Sequence, residues 1–312
     1  MQVGTGGSNR ARRGTKEVAK GRHRSSDGRF GRSPMTPNDA AIAQWNGDSG
    51  QLWARSADQR DLALVQVLDV LLDAASPDAG EAVLDIGCGC GATTLAAAEA
   101  VGPDGHALGV DISGPMLDVA RQRAAQRGLP NATFQQADAQ TQPLPTAAHD
   151  LAISRFGTMF FDDAGAAFTN IARSLRPGGR LCIATWQPMA ANEWLGLAST
   201  ELGRFGPPPA APPASGMFAQ SEPARVEALL RGAGFTDVHV DARDVAVRLG
   251  DDIGAATDYL TELGLSRAAL EAMAPVDRPR AIDAIRTALE PHVRADGVHL
   301  GGAILVTTAS IG

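Results

Sequence analysis

Three glycines at alternate positions and three aspartates at the ends of apolar runs are the residues whose types and spacing point to ligand chemistry. Gly87, Gly89 and Gly91 follow the apolar run of Ala82, Val83, Leu84 and Ile86 and lead into a segment rich in Thr, Leu and Ala. That order reads as strand, tight turn, helix. Glycine suits such a turn because sharp reversal needs positive φ, and because a ligand lies against backbone only where no Cβ intervenes. The helix that follows offers unpaired N–H groups and a positive dipole end. Asp85 stands two residues before the first glycine, Asp111 follows it by 26 residues, and Asp138 comes after the next such unit.

Two nucleotide chemistries compete for this pattern. Gly87, Gly89 and Ala92 satisfy G-x-G-x-x-G/A with Asp111 as the trailing acid, which is the form of a nicotinamide-dependent oxidoreductase. Asp85 favours the other: an ionised carboxylate beside the turn repels a pyrophosphate and attracts an ammonium group. Here the run VLDIGCGCG resembles the first motif of the class I S-adenosylmethionine-dependent methyltransferases, and GVDIS at 109–113 resembles their second.

The resemblance implies S-adenosyl-L-methionine as cofactor, with Asp85, Gly87, Cys88 and Gly89 along its amino-acid portion. It places Asp111 on the two ribose hydroxyls, Ile112 and Met116 against adenine, and Asp138 with the N–H of Ala139 on the adenine edge. Ser154 opens the run SRFGTMFF, expected to face the methyl group, where aromatic and thioether side chains suit a sulfonium. Arg155, Phe156 and Met159 from that run, with Trp45 and Trp53 from an N-terminal segment folding over the site, form the expected substrate pocket. SRFGTMFF and LRPGG look most like the small-molecule branch that includes ubiquinone and menaquinone C-methyltransferases. The implied activity is methyl transfer to carbon, oxygen or nitrogen of a small molecule by in-line displacement. A non-catalytic cofactor-binding protein is the remaining alternative.

The bulk composition narrows the field. The chain has 312 residues, 44% hydrophobic and 20% charged, as in an ordinary globular protein. Its net charge of −7 is uneven: residues 1–34 hold nine Lys/Arg against two acids, and the remainder 19 against 33. A body that acidic disfavours nucleic acid as partner. Lys16 and Lys20 are the chain's lysines, so the body can form neither a lysine Schiff base nor a P-loop. Cys88, Cys90 and Cys182 have no metal spacing, so no metal is expected, and they fit a reducing cytoplasmic interior. No apolar run suggests membrane insertion. His106 and His149 stand at strand starts and His239 inside a strand, while a reach to the pocket from His292 or His299 in the C-terminal region stays open, and no catalytic base is assigned.

The elements that must position these residues follow in order. Residues 1–34 read as a disordered basic leader and 35–80 as a helical cap ending in an amphipathic helix over 61–75. Residues 81–190 alternate strand and helix, the pattern of a cofactor-binding core: helix 92–101, strand 106–110, helix 115–127, strand 132–136, strand 150–154, helix 162–175 and strand 180–186. Residues 191–312 hold an extended Pro-rich linker at 207–213, a helix near 222–232, a strand within 232–240 and a last strand at 305–308. A helical insertion at 251–293 precedes that last strand, placed either as a cap on the acceptor pocket or as the face of a homodimer. The expected architecture is an α/β Rossmann-like sheet of seven mostly parallel strands, helices on both faces and an antiparallel last strand.

Overall fold

The architecture, taken from a computed structural model, describes residue 1, residues 38–206 and residues 216–312. The leader at 1–34, beyond its first residue, and the linker at 207–213 lie outside the described residues.

Four short helices come first: α1 (Asp39–Asn46), α2 (Asp48–Arg55), α3 (Ala57–Ala63) and α4 (Val65–Ala75). The helix expected over 61–75 is thus two, broken at Leu64. The break lets α3 bury Arg60 and Ala63 while α4 turns Val67, Leu71 and Ala75 into the core, two faces that one straight helix would not present.

The alternating core matches its expected boundaries within a few residues. It runs β1 (Ala82–Ile86), α5 (Ala92–Val101), β2 (His106–Asp111), α6 (Gly114–Arg127), β3 (Ala132–Gln136), β4 (His149–Arg155), α7 (Ala164–Ser174) and β5 (Leu175–Trp186). After β5 come α8 (Glu193–Leu202), α9 (Pro223–Gly232), β6 (Thr236–Gly250), α10 (Ile253–Glu262), α11 (Gly264–Ala272), α12 (Arg278–Leu289), a two-residue β7 (Val293–Arg294) and β8 (Gly297–Ser310).

The strand order is β3-β2-β1-β4-β5-β8-β6, with β7 paired to β8 off that path. The first five strands are parallel, and β8 runs antiparallel between β5 and β6. This is the seven-strand sheet expected, with one short extra strand. Apolar side chains alternate between its faces: Val83 joins the cluster that takes in Leu71 of α4 and Leu95 of α5, while Leu84 and Ile86 join that of Phe168 and Ile171 of α7. The order reverses beside β1, whose neighbours are β2 and β4, and the crevice at such a switch point is where ligands collect.

Two strands are much longer than their sequence suggested. β6 and β8 stay paired from Thr236–Ser310 to Gly250–Val298. Val245, Val247 and Leu249 are buried at alternate positions, but the charged run at 241–244 is exposed and hides the continuation of the strand. This long arm carries α10, α11 and α12, which pack over α8.

Candidate functional site

The turns after β1 and β4 meet at the switch point. Gly87 has φ +66°, and a Cβ there would lie 2.6 Å from the Cα of Gly157. From the other side, a Cβ on Gly157 would lie 2.4 Å from the carbonyl oxygen of Ile86. Two chain segments therefore touch backbone to backbone, and a cleft of about 740 Å³, open mouth included, is left beside them. That volume suits a nucleoside-sized ligand.

Six of the expected cofactor residues stand on the cleft wall or at its turn: Gly87, Asp111, Ile112, Met116, Asp138 and Ala139. Asp111 ends β2 with its carboxylate fixed by the N–H of Gly89 on Oδ2 and of Ser113 on Oδ1, both at 2.8 Å. Burial raises its pKa, opposed by those same N–H groups. Asp138 accepts from the N–H of Gln140 on Oδ1 (2.9 Å) and from the Thr141 hydroxyl on Oδ2 (2.7 Å), so its turn holds the carboxylate rigid. The three acids lie at the carboxyl ends of β1 and β2 and just beyond β3, on one edge of the sheet.

The other four residues do not line the cleft. Ser154 is fully buried; its hydroxyl donates to Ile86 O at 2.7 Å and accepts from Gly157 N at 3.1 Å, which ties β4 to β1. Cys88 and Gly89 form the floor of the turn; a side chain on Gly109 would strike the Cys88 sulfur at 2.8 Å. Asp85 is 1% exposed and looks toward α5, where the Thr94 hydroxyl donates to its Oδ2 at 2.6 Å. Burial pushes its carboxyl up to about 7, so it is not the permanently ionised group that the argument against pyrophosphate assumed. Its Oδ1 is buried without a hydrogen-bond partner.

The N-terminal cap closes the cleft from above. Ser113 donates to the carbonyl of Trp45 at 2.6 Å, and Asn46 bridges the Ile112 carbonyl and the Gly114 N–H at 2.8 and 3.0 Å. Trp45 and Trp53 meet edge to face with ring centroids 5.8 Å apart, and Trp45 meets Phe160 likewise at 5.3 Å. Arg155 lines the cleft at the end of β4. One of its Nη groups donates to Asp61 at 2.9 Å, and the other is buried without a partner. Phe156 follows in the left-handed region at φ 70°, a strained conformation for a bulky residue at the crevice.

A second chamber, about 1420 Å³ with its mouth, shares Trp45, Trp53, Phe156 and Phe160 with the first. Met159, expected in one substrate pocket with the others, lies here, as do Trp186 and Trp194 and, from the helical insertion, Tyr259 and Leu263. The insertion thus walls a cavity. Sequence reasoning missed most of these residues, because they come from segments scattered between 44 and 267 that meet only in the fold. Among the described residues no histidine lines either chamber, and no cluster of three or more His, Cys, Asp or Glu could hold a metal. The three cysteines are unbridged; burial raises Cys90 to about 11 and Cys182 to about 12, so both are thiols at neutral pH.

A parallel sheet with an antiparallel last strand and an acid-tipped glycine turn at its switch point defines a Rossmann-like nucleoside-binding protein. The comparisons carry this further. A methyltransferase domain family matches residues 83–179. Aklanonic acid methyltransferase DauC of Streptomyces sp. (strain C5) is 41% identical over 111 residues, 36% of this chain and 50% of that one. Nocamycin O-methyltransferase of Saccharothrix syringae is 33% identical over 190 residues, 57% of this chain and 67% of that one. A demethylmenaquinone methyltransferase of Geobacillus stearothermophilus is 36% identical over 110 residues, 35% of this chain and 47% of that one. The YcgJ protein of Bacillus subtilis shares the fold, with a TM-score of 0.53 at 18% identity over 79% of this chain and 98% of that one. The chain belongs to the class I S-adenosylmethionine-dependent methyltransferases. It spans from just under half to two thirds of the length of these three relatives.

The residues present fit that cofactor. Its methionine portion carries a carboxylate, and Arg155, on the cleft wall, holds a buried Nη1 donor that nothing among the described residues satisfies. A side chain at Gly87 would collide with the Gly157 backbone, so the turn that borders the cleft keeps its shape only with glycine there.

Proposed function

We propose that the protein transfers a methyl group from S-adenosyl-L-methionine, held in the first cleft, to a small-molecule acceptor held in the second chamber. The observation that carries this is the junction of the two cavities at a shared wall of Trp45, Trp53, Phe156 and Phe160. Asp111 would hold the ribose, Asp138 and Ala139 the adenine edge, Ile112 and Met116 its faces, and Arg155 the amino-acid end, with Asp85 behind the turn. When bound, the cofactor supplies an electrophilic methyl on a sulfonium. The aromatic wall attracts a cation, excludes water and fixes the line of approach, and alignment of that kind accounts for most of the acceleration such a displacement needs. No protein group is assigned as base.

The names of the relatives support a small-molecule acceptor, and the acidic balance of the body argues against nucleic acid. Among the described residues no helix is long and apolar enough to cross a membrane, and the unbridged cysteines support a reducing, cytoplasmic setting. A homodimer is an expectation that light scattering decides. So too is the division into a cap over 35–80, a cofactor core over 81–190 and a C-terminal part, which limited proteolysis tests.

Calorimetry tests the central reading. S-adenosylhomocysteine should bind saturably and NADH should not; the reverse order would replace a methyltransferase with an oxidoreductase. Asp111→Ala should weaken S-adenosylhomocysteine by about 2 kcal/mol, roughly 30-fold, the loss of two hydrogen bonds to a charged acceptor. Unchanged affinity would remove Asp111 from the site.

A further inference from the structure

The second chamber is apolar almost throughout, and all four tryptophans of the chain line it. Gln44, Ser49, Glu262 and Arg267 also border it, and Arg60 is its buried charge. It projects from α3, 9% exposed, with its guanidinium carbon 4.1 Å above the ring of Trp53. Its Nε donates to the Ser56 hydroxyl at 2.8 Å. Its two Nη groups have no hydrogen-bond or ion-pair partner among the described residues. Tyr259 of α10 is 6% exposed on the same chamber, and its hydroxyl is equally unmatched. Glu262, exposed at the rim, attracts Arg60 without a hydrogen bond or ion pair to it, and Tyr259 feels the charges of Arg60 and Arg155.

A buried cation with four free N–H donors is costly unless something neutralises it. Elsewhere the protein pairs its half-buried arginines: Arg123 with Asp58 and Asp61, Arg155 with Asp61, Arg180 with Glu81. Arg60 alone among these has no carboxylate in hydrogen-bond contact; the one carboxylate on its chamber among the described residues, Glu262, stands exposed at the mouth. A planar fork of donors beside a phenolic O–H is matched by an oxyanion, and the tryptophan and phenylalanine walls are matched by a flat ring system.

We infer that the acceptor is a flat, conjugated ring compound bearing an acidic oxygen, and that Arg60 and Tyr259 hold that oxyanion while the aromatic walls hold the ring. The inference rests on the reading of the second chamber as the acceptor site. Arg60 is thereby a specificity-determining residue, and neutral analogues of the same shape are poor ligands.

Trp186 and Trp194 line this chamber and Trp45 and Trp53 line both cavities, so quenching of intrinsic fluorescence with the first cleft saturated by S-adenosylhomocysteine reports the chamber's occupancy. Anthraquinone-2-carboxylate and anthraquinone-2-carboxamide are titrated into the full chain, with and without saturating S-adenosylhomocysteine. The acid should bind at least tenfold more tightly than the amide. Arg60→Met should erase that preference without altering amide binding or S-adenosylhomocysteine affinity, Arg60→Lys should keep most of it, and Tyr259→Phe should reduce it a few-fold. Equal binding of the two probes to the wild type, no quenching by either, or an Arg60→Met variant that weakens both alike would overturn the inference. If Arg60→Met does not fold, the acid-to-amide ratio of Tyr259→Phe decides, and an unchanged ratio overturns it. Failure of S-adenosylhomocysteine to bind, with acid preference intact, would instead remove the methyltransferase reading and leave an oxyanion pocket.

Discussion

Asp85→Asn is expected to stabilise the ligand-free protein at pH 8 by about 2 kcal/mol and to leave it little changed at pH 5. In the fold the Asp85 carboxyl titrates near 7 because burial penalises its charge; in the unfolded chain it titrates near the ordinary 3.8. Between those values the folded state holds the extra proton. Stability therefore falls as pH rises from about 4 to about 7, by up to ~4 kcal/mol at 1.36 kcal/mol per pH unit, and levels off above. Asparagine is neutral throughout and escapes that loss. It still accepts from Thr94, but sets an NH2 where Oδ1 has no partner, which returns about 1–3 kcal/mol of the gain. Melting scans at pH 5 and pH 8 check this; the same difference in Tm at both values would mean that Asp85 does not titrate between them.

The second large effect is structural. Gly87→Ala is expected to lower stability by about 3 kcal/mol or more. A side chain in the left-handed region costs about 1–2 kcal/mol, and here the new Cβ also meets backbone, which no rotamer change relieves. The contact is the Cα of Gly157, 2.6 Å away. Gly80 provides the comparison: its φ is +85°, but a Cβ there meets nothing within 4 Å. Gly80→Ala should show the conformational cost by itself, and urea denaturation of both variants separates it from the clash. Equal losses in the two would mean that the turns after β1 and β4 are free to part.

How much of this was legible depends on where each signal sits along the chain. From β1 to β5 every element announces itself locally, by an apolar run of strand length, a glycine stop such as Gly102 or Gly128, or a cap such as Ser113 and Asp163. Asp111 and Asp138 follow from that order, since the carboxyl ends of strands beside a switch point border the crevice. What the local signals do not carry is partnership. Ser154 reads like any strand-end hydroxyl until Ile86 O and Gly157 N are seen beside it. Asp85 reads as ionised until its burial is known. The arm of β6 and β8 is hidden by the charged stretch at 241–244, which is tolerated because those positions are exposed. Arg60, Trp186, Trp194 and Tyr259 share a cavity only because the cap, α8 and α10 converge on it.

The arm has an evolutionary consequence. Gly250 pairs with Val298, so the chain leaves the hairpin and rejoins it at nearly one point, with the whole helical insertion strung between. A segment whose two ends lie side by side can be exchanged or resized for a modest loop-closure penalty. The nucleoside cleft, built from β1 to β4 and the cap, lies outside that segment. Diversification in such a lineage would proceed by grafting new segments at this junction, altering the repertoire of compounds accepted while the donor chemistry is inherited intact.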